Sequence, residues 1–494
     1  MILAALIFIP ILAVAAIIAG APARLASLAA AVLNCVLTLA AMFYFDGAAA
    51  GPQLASTLFT ILPQPELALS VGIDGLALVM VILTALVTLC AVLISPSSVA
   101  RGSLRLYYSS VLLIAAGAMG AFVSTDLFFF YAFHELALVP TFIMIGLHGS
   151  GDRRSAAWKI TVYLGLGSMI LLAGLLTLFL QLGGTTFNMA KLAAAAQTAA
   201  IPAETQAWIF LTLIVGFGVL ISLFPFHSWA PSAYACAPTP VAMLHAGVLK
   251  KFGLYGLLKV ALPMLPLGSQ SQWVLNLLLF ALLGNILFLG LVTIAQKELD
   301  QMLGHSSVMH MGYVFLGIAS WNTIGLSGAV LLMFAHGLSI ALLFLLNGVI
   351  RDGAGTTHFD RFGGLAKKAP MLGLLFGLAT FASIGLPGFA NFAGEILVFF
   401  GAFKNNVANG QLWLPLATVL ALWGVVMSAV YGLRAFRAIF MGEPSADAKT
   451  VPDLTLREAF PAILLAAALL LVGFFPNLIL HLVRPAFAAL TGQS

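Results

Sequence analysis

Charged residues are scarce in this sequence. Only 7% of its 494 residues are Asp, Glu, Lys or Arg, and 62% are hydrophobic, whereas a soluble domain carries about 25% charged residues. This composition is that of a membrane protein. The formal net charge of +5 comes from basic residues in loops between apolar stretches, so it does not indicate a nucleic-acid partner.

Cysteine is scarce as well. The three cysteines, Cys35, Cys90 and Cys236, are far apart and form no CxxC pair, which argues against a disulfide framework, an iron–sulfur cluster and a zinc site. No glycine-rich phosphate loop follows a strand pattern, so no nucleotide or flavin site is expected. We therefore expect neither a cofactor nor a metal in this chain.

Apolar stretches long enough to cross a bilayer, about 20 residues each, recur along the chain. They predict an all-α polytopic membrane protein of about fourteen transmembrane helices, with residues 1–494 forming a single membrane domain. The intervals between them are too short for an additional soluble domain. The predicted spans lie near residues 2–19, 25–45, 72–94, 106–124, 127–148, 156–181, 207–226, 240–264, 272–296, 302–320, 325–350, 370–403, 412–439 and 459–482.

The basic residues predict an orientation. Fifteen Lys and Arg residues lie in or beside the loops that follow odd-numbered spans, and only Lys191, Lys404 and Arg484 lie on the opposite side. Loops rich in Lys and Arg stay in the cytoplasm. We therefore expect a multi-pass protein of the inner (plasma) membrane with both termini on the non-cytoplasmic side.

Two predicted spans are interrupted by proline. The interruptions are residues 224–227, FPFH, in the seventh span and residues 385–388, GLPG, in the twelfth. Paired broken helices in corresponding positions indicate inverted repeats with an ion site between them, which here would be two five-helix repeats, spans 4–8 (about 106–264) and spans 9–13 (about 272–439). Ordinary proline kinks, common in membrane helices, are the alternative.

Four charged residues are predicted to lie within the membrane: Glu135, Lys250, Lys251 and Glu395. A charge at the bilayer centre costs at least about 2.5 kcal/mol, and such residues usually line an ion pathway or a wet cavity. Apolar turns flank the two lysines on both sides, so they are not expected to reach the membrane surface. A structural ion pair between helices is the alternative for Glu135.

Histidines occur in the same segments. His245 precedes Lys251 by six residues, which places the two roughly opposite each other on an ideal helix, and His336 and His310 lie in mid-span. Histidine titrates near neutral pH, so these residues are candidates to pass protons between the charged groups. Their alternative role is packing, with the ring donating to a backbone carbonyl.

Five blocks of the sequence resemble the antiporter-like subunits of respiratory complex I, the proton-translocating NADH:quinone oxidoreductase. The resemblance is strongest to the subunit M (chain 4-type) branch of that family, which also has a Glu in the position of Glu395. The blocks are FHELALVPTFIMIGL, PFHSWAPSAYACAPTPVAMLHAGVLKKFGLYG, AQKELDQMLGHSSVMHMGYVFLGI, AHGLSIALLFLLNG and GLPGFANFAGEILVFFGAF, between residues 127 and 403.

The resemblance implies fourteen helices, two inverted repeats and a hydrated central axis of charged residues. It implies that Glu135, Lys251 and Glu395 belong to a proton path. His336, His245 and Lys250 remain candidate site residues from their positions in the spans, and Lys250 is an extra charge beside the expected Lys251. The resemblance also implies a non-redox subunit of a translocase. Its partners would be neighbouring antiporter-like subunits and the lipid bilayer, and electron transfer elsewhere in the complex would drive it.

The sequence departs from the family pattern at one position. The family has a seventh-span lysine seven residues before the PxH histidine, where this chain has Leu220. The usual partner of Glu135 is therefore missing. Either Lys250 substitutes by reaching toward Glu135, or this is an altered or pump-deficient member of the family.

Two other functional classes fit the same residues. His245, in PTPVAMLHAG, also resembles sequences of multisubunit cation/proton (Mrp-type) antiporters, which need no electron donor. Subunits of membrane hydrogenases and of ion-coupled carbon-uptake complexes are related as well. A purely structural scaffold would leave several charges in the membrane without a purpose.

Overall fold

The protein is described from a computed structural model, in which residues 1–48, 51–99, 101–408 and 412–492 are described. It is mostly helical. The helices are α1 (Ile2–Ile18), α2 (Ala23–Tyr44), α3 (Gly75–Ile94), α4 (Leu104–Val123), α5 (Leu127–His148), α6 (Arg153–Gln181), α7 (Met189–Thr198), α8 (Ala203–Ile221), α9 (Trp229–Cys236), α10 (Thr239–Met264), α11 (Pro266–Ser269), α12 (Gln272–Ala295), α13 (Leu299–Ala319), α14 (Thr323–Ala354), α15 (Pro370–Ile384), α16 (Ala390–Ala408), α17 (Trp413–Phe440), α18 (Leu456–Phe474) and α19 (Asn477–Thr491).

Eleven helices in the described part of the chain are long and apolar enough to cross a membrane. They are α2–α6, α8, α10, α12, α14, α17 and α18, and the shorter apolar helices are α1, α15 and α19. Helices α13 and α16, of 21 and 19 residues, are long enough to span but carry more polar side chains. Each predicted span overlaps at least one helix, and eleven helices of the described residues meet the length and composition of a membrane span.

Two helices lie at the centre of the bundle. The whole of the most apolar stretch of α10 and of α14 is buried (100%), whereas only 33–44% of that stretch is buried in α2, α6 and α12. A helix that is enclosed on every side must satisfy its polar side chains within the protein. The charged residues of α10 therefore have to find their partners on neighbouring helices.

Both predicted interruptions are present. Helix α8 ends at Ser222, which has a left-handed backbone (φ 68°), and the chain becomes helical again at Trp229 in α9. Helix α15 ends at Gly385 (φ 83°), and α16 begins at Ala390. A left-handed residue terminates a helix because it turns the next amide away from the helix axis.

The all-α prediction missed a β-hairpin. Strands β1 (Gln53–Pro63) and β2 (Glu66–Ile73) pair in antiparallel fashion. The third predicted span, 72–94, therefore begins three residues too early, inside β2. The helix after this hairpin begins at Gly75 because the Asp74 carboxylate caps it, accepting a 2.8 Å hydrogen bond from the amide of Ala77.

The last predicted span, 459–482, is also corrected. It consists of two helices, α18 and α19, that are separated at Phe475 and Pro476. Proline cannot donate an amide hydrogen bond and disfavours a helical conformation of the residue before it. The apolar pattern continues across this break, which is why the sequence alone does not reveal it.

Candidate functional site

Helix α10 carries the two buried lysines in an irregular segment. Two π-helical turns, His245–Leu249 and Leu257–Ala261, interrupt it. In the first, the amide of Lys250 donates to the carbonyl of His245, five residues earlier, at 3.0 Å. The side chains of Lys250 and Lys251 come directly after this turn and are only 1% and 0% exposed. Neither ammonium group reaches lipid or the membrane surface.

Lys251 is bound to a histidine of α14. Its Nζ atom lies 2.9 Å from Nδ1 of His336 and donates a 2.5 Å hydrogen bond to the carbonyl of Ala246. The other ring nitrogen of His336, Nε2, is buried and has no hydrogen-bond partner among the described residues. His336 therefore has one nitrogen in contact with the ammonium and a second that is free to exchange a proton.

His310 of α13 continues this contact. Its ring centroid lies 5.5 Å from that of His336. Nδ1 of His310 lies 2.8 Å from the carbonyl of Ser306, and Nε2 lies 2.9 Å from the carbonyl of Ser383, at the end of α15. A neutral imidazole carries a single N–H donor, so the tautomer of His310 decides which of the two carbonyls receives it. His310 of α13 thus contacts the broken end of α15.

Lys250 has a separate set of partners. Its Nζ atom donates to Oγ of Ser307 at 3.4 Å and lies 5.7 Å from the centroid of the Tyr234 ring, within the range of a cation–π contact. The hydroxyl of Tyr234 lies 3.2 Å from Nδ1 of His245. Lys250, Tyr234 and His245 therefore form a second cluster beside the first.

Glu395 lies at the second helix break. Its side chain is 3% exposed, and a Cβ atom on Gly385 would collide with its carboxylate. Asn391, one turn earlier on α16, donates to Oγ of Ser339 at 3.3 Å, and Ser339 in turn donates to the carbonyl of His336 at 3.3 Å. These bonds connect the helix that carries Glu395 with the helix that carries His336.

A second connection to Glu395 passes through α17. The hydroxyls of Ser306 and Tyr431 are 2.7 Å apart, and Ser306 also offers its carbonyl to His310. Tyr431 lies within electrostatic range of Glu395, as does Tyr313 of α13. Polar groups therefore extend from His310 to the surroundings of Glu395.

Glu135 lies at the edge of the bundle. Its side chain is 37% exposed, and Nδ1 of His134 is 3.5 Å from one of its oxygens, which also accepts a hydrogen bond from Ser168 of α6. The carboxylate borders a cavity of about 190 Å³ between α5 and α6. The His134 ring stacks on Phe252 at 3.9 Å, so an aromatic contact joins α5 to α10 next to Glu135 and Lys251 in the sequence.

Lys250 does not contact Glu135. The ammonium of Lys250 is bound to Ser307 of α13 and to Tyr234, whereas the carboxylate of Glu135 is bound on α5 and α6. Leu220 is 4% exposed and belongs to the apolar core. The hypothesis that Lys250 reaches toward Glu135 is therefore not supported by the contacts of either side chain.

The structure brings five of the six candidate residues close to the bundle centre and leaves Glu135 at its edge. Four further residues take part in the polar contacts of the site and were not among the predicted candidates: Tyr234, Ser306, Asn391 and Tyr431. Tyr234 lies within the FPFHSWAPSAYACAPTPV block and could have been noticed as a polar residue between the break and the lysines. The other three have no sequence signal of their own.

No group of three or more His, Cys, Asp or Glu side chains that could hold a metal ion occurs among residues 1–48, 51–99, 101–408 and 412–492. The three cysteines are not paired with one another.

The known proteins to which this chain is similar agree with one another. Residues 124–430 match the family described as NADH:quinone oxidoreductase/Mrp antiporter, TM. The chain is 34% identical to NADH-quinone oxidoreductase subunit M of Rickettsia typhi, over 91% of this chain and 88% of that protein. It is 36% identical to F(420)H(2) dehydrogenase subunit M of Methanosarcina mazei, over 90% and 88%. Respiratory complex I from Thermus thermophilus contains a chain that aligns with a TM-score of 0.87 at 30% identity, covering 100% of both chains.

Replacing Gly385 by Ala tests the position of Glu395. The added methyl group would meet the Glu395 carboxylate and would also force a residue with a Cβ atom to adopt φ 83°, a strain of about 1–3 kcal/mol. Gly20→Ala is the matched control, because Gly20 has φ 112° but nothing lies within 4 Å of the added methyl. We expect Gly385→Ala to lower the unfolding temperature of the detergent-solubilised protein more than Gly20→Ala.

Removing the carboxylate of Glu395 should relieve its collision with the methyl group added at position 385. Glu395→Ala, introduced into the Gly385→Ala variant, is expected to recover part of the lost thermal stability. Equal losses in Gly385→Ala and Gly20→Ala, with no recovery in the double variant, would contradict the observed placement of Glu395.

Proposed function

Because this chain belongs to the NADH:quinone oxidoreductase/Mrp antiporter family of membrane subunits, we propose that it is a proton-translocating, subunit M-type component of a complex I-like NADH:quinone oxidoreductase. The observation that carries this proposal is the series of buried polar contacts on α10, α13, α14 and α16. Lys251, His336 and His310 follow one another there in mid-span. Such groups are costly in a membrane and are typical of proton relays.

In the proposed path, His336 passes protons between Lys251 and the region of His310. Its Nδ1 accepts from the Lys251 ammonium at 2.9 Å, and its Nε2, which has no partner among the described residues, releases the proton on the other side of the ring. Water bridges the remaining gaps. The path is proposed to connect, in order, Glu135, Lys251, His336, His310 and Glu395.

The proposed architecture has fourteen spans in two inverted five-helix repeats, about 106–264 and 272–439. The position of the breaks supports it: Ser222 ends α8 and Gly385 ends α15, each with a left-handed backbone. A charged residue of the path follows each break: Lys251 on α10, the second helix after Ser222, and Glu395 on α16, directly after Gly385. The basic loops favour a position of both termini on the non-cytoplasmic side of the inner membrane.

Other subunits must supply the energy. Moving one elementary charge against 100 mV costs about 2.3 kcal/mol, and we place the electron carriers in other chains of the assembly. The surface beside Glu135 is strongly apolar, with Val139 and Trp158 exposed by 62% and 65%. A neighbouring antiporter-like subunit on this face would cover Glu135 and remove it from lipid.

Leu220 leaves two hypotheses for how the path works without a seventh-span lysine. The contacts of Lys250 with Ser307 and Tyr234 favour a rearranged central cluster over a substitute partner for Glu135. A pump-deficient subunit would have no use for three buried ionisable side chains, Lys250, Lys251 and His336, each of which is held by polar contacts.

The second candidate function is that of a subunit of a multisubunit cation/proton antiporter. The matching family includes Mrp antiporters, and cation exchange requires no electron donor. A sodium-driven pH gradient in inverted vesicles without NADH would favour this function. A membrane hydrogenase or an ion-coupled carbon-uptake complex would be distinguished by its electron donor.

Replacing Glu135 by Gln tests the proposed path. Gln keeps an oxygen that can accept the Ser168 hydroxyl but cannot take up or release a proton. We expect proton pumping by the assembled complex in inverted vesicles to fall at least about tenfold, since positioned proton-transfer groups contribute about 10²–10⁴-fold. Glu204→Gln, at an exposed site at the start of α8, is the control. Full pumping by Glu135→Gln would refute the role of this carboxylate.

The two lysines should differ in importance. Lys251 is bound directly to His336, whereas Lys250 makes only the longer bond to Ser307. We expect Lys251→Met to abolish pumping and Lys250→Met to reduce it partially, with Lys297→Met, at an exposed site, unchanged. Pumping at the wild-type rate by both buried-lysine variants would eliminate the lysine path.

A further inference from the structure

A polar cavity of about 520 Å³ opens at one end of the bundle, between α6, α9 and the beginning of α13. Charged side chains of both signs line it, among them Asp152, Lys159, Glu298 and Asp300. These residues belong to loops and helix ends that the distribution of Lys and Arg assigns to the cytoplasmic side. Water and cations from the cytoplasm can therefore enter it.

Helix α9 forms the wall between this cavity and the lysines. Ser232, Ala235 and Cys236 line the cavity, and their spacing of three and four residues places them on one face of the helix. Tyr234 lies about 200° around the helix from Ser232, is 1% exposed and contacts His245 and Lys250. Helix α9 therefore borders the cavity with one face and the cluster of Lys250, Tyr234 and His245 with the opposite face.

The cavity and the cluster are close but separated. Gln301 of α13 lines the cavity, and Ser307, six residues further along the same helix, binds Lys250, which corresponds to about 9 Å along the helix axis. Between them, α9 and α13 are packed so closely that a Cβ atom on Gly304 would lie 2.7 Å from Cα of Pro231. The direct route is closed by this backbone contact.

We propose that this cavity is the cytoplasmic intake of the path and that the Tyr234 hydroxyl passes protons from it to His245 and Lys250. The proposal rests on the proposed function of the chain. It explains how the path operates with Leu220, which cannot carry a proton: intake occurs on the α9 side of α10 instead of on α8. Tyr234 holds one hydroxyl against His245 and its ring face against the ammonium, so a small displacement of α9 connects the two compartments.

Cys236 provides a native probe of the cavity. A cationic, membrane-impermeant methanethiosulfonate reagent, the trimethylammonium-ethyl derivative, is added to the cytoplasmic face of inverted vesicles that contain the assembled complex. The Cys236 thiolate attacks the reagent's thiosulfonate sulfur, a disulfide forms and the sulfinate leaves. A fixed positive charge in the cavity should repel incoming protons and slow proton intake, by about tenfold for a separation of roughly 10 Å from an ammonium at an effective dielectric constant near 20. The neutral methyl derivative should inhibit less.

The Cys236→Ser complex is the matched control, because it lacks the thiol but keeps every other cysteine. We expect the cationic reagent to leave its pumping rate at the untreated value. Wild-type pumping that persists after mass spectrometry has shown Cys236 to be labelled, or a failure of Cys236 to react from the cytoplasmic face, would overturn the assignment of the cavity.

Tyr234→Phe removes the hydroxyl and keeps the ring over Lys250. We expect pumping to fall about tenfold or more and its dependence on cytoplasmic pH to change, while NADH oxidation and assembly persist. Tyr255→Phe, which also loses one buried hydroxyl bond, to the carbonyl of Phe122 at 2.9 Å, should pump normally. Wild-type pumping and pH dependence in Tyr234→Phe would refute the role of Tyr234. Wild-type pumping by Tyr234→Phe together with loss of pumping by Glu135→Gln would refute the role of Tyr234 and leave the proposed function standing. A wild-type complex that pumps no protons would refute the proposed function itself.

Discussion

The cost of holding charge inside a membrane governs this structure. An ammonium or carboxylate that leaves water must find polar partners nearby, because the low dielectric makes an unpaired charge expensive. Lys251 meets this requirement with one backbone carbonyl and one imidazole nitrogen. Helices α10 and α14, which provide these groups, are the two candidate spans, among those of the described residues, whose most apolar stretch is wholly buried. The buried apolar helices at the centre of the bundle thus surround the polar contacts of Lys251.

Helix irregularities supply many of the polar partners. The last turn of a helix leaves carbonyl oxygens without partners inside the helix, and a ring nitrogen contacts a carbonyl near the end of each broken helix. Nε1 of Trp229 donates to the carbonyl of Val219 in α8 at 2.9 Å, and Nε2 of His310 lies 2.9 Å from the carbonyl of Ser383 in α15. Each break thus brings a polar side chain against a backbone carbonyl.

Much of this organisation could be predicted from the sequence, because charges and prolines inside apolar stretches are conspicuous. The broken helices and the burial of Lys251 and Glu395 follow from that contrast. The direction in which the Lys250 side chain points could not be predicted. The π turn at His245–Leu249 adds one residue to the helix and rotates the remainder of α10 by about 100°. No local sequence pattern signals such a turn. The hairpin β1–β2 was missed because its strands adjoin an apolar helix. The contacts of Tyr431 and Asn391 depend on distant helices.

The central claim is that polar side chains deep in the bundle border a continuous line of water. An electron cryo-microscopy map of the assembled complex, at a resolution that shows ordered water, tests it most directly. The account predicts water molecules that connect Lys251 and His336 with Glu395 and, on the other side, with Glu135. Tightly packed apolar side chains in place of water between these residues would contradict it.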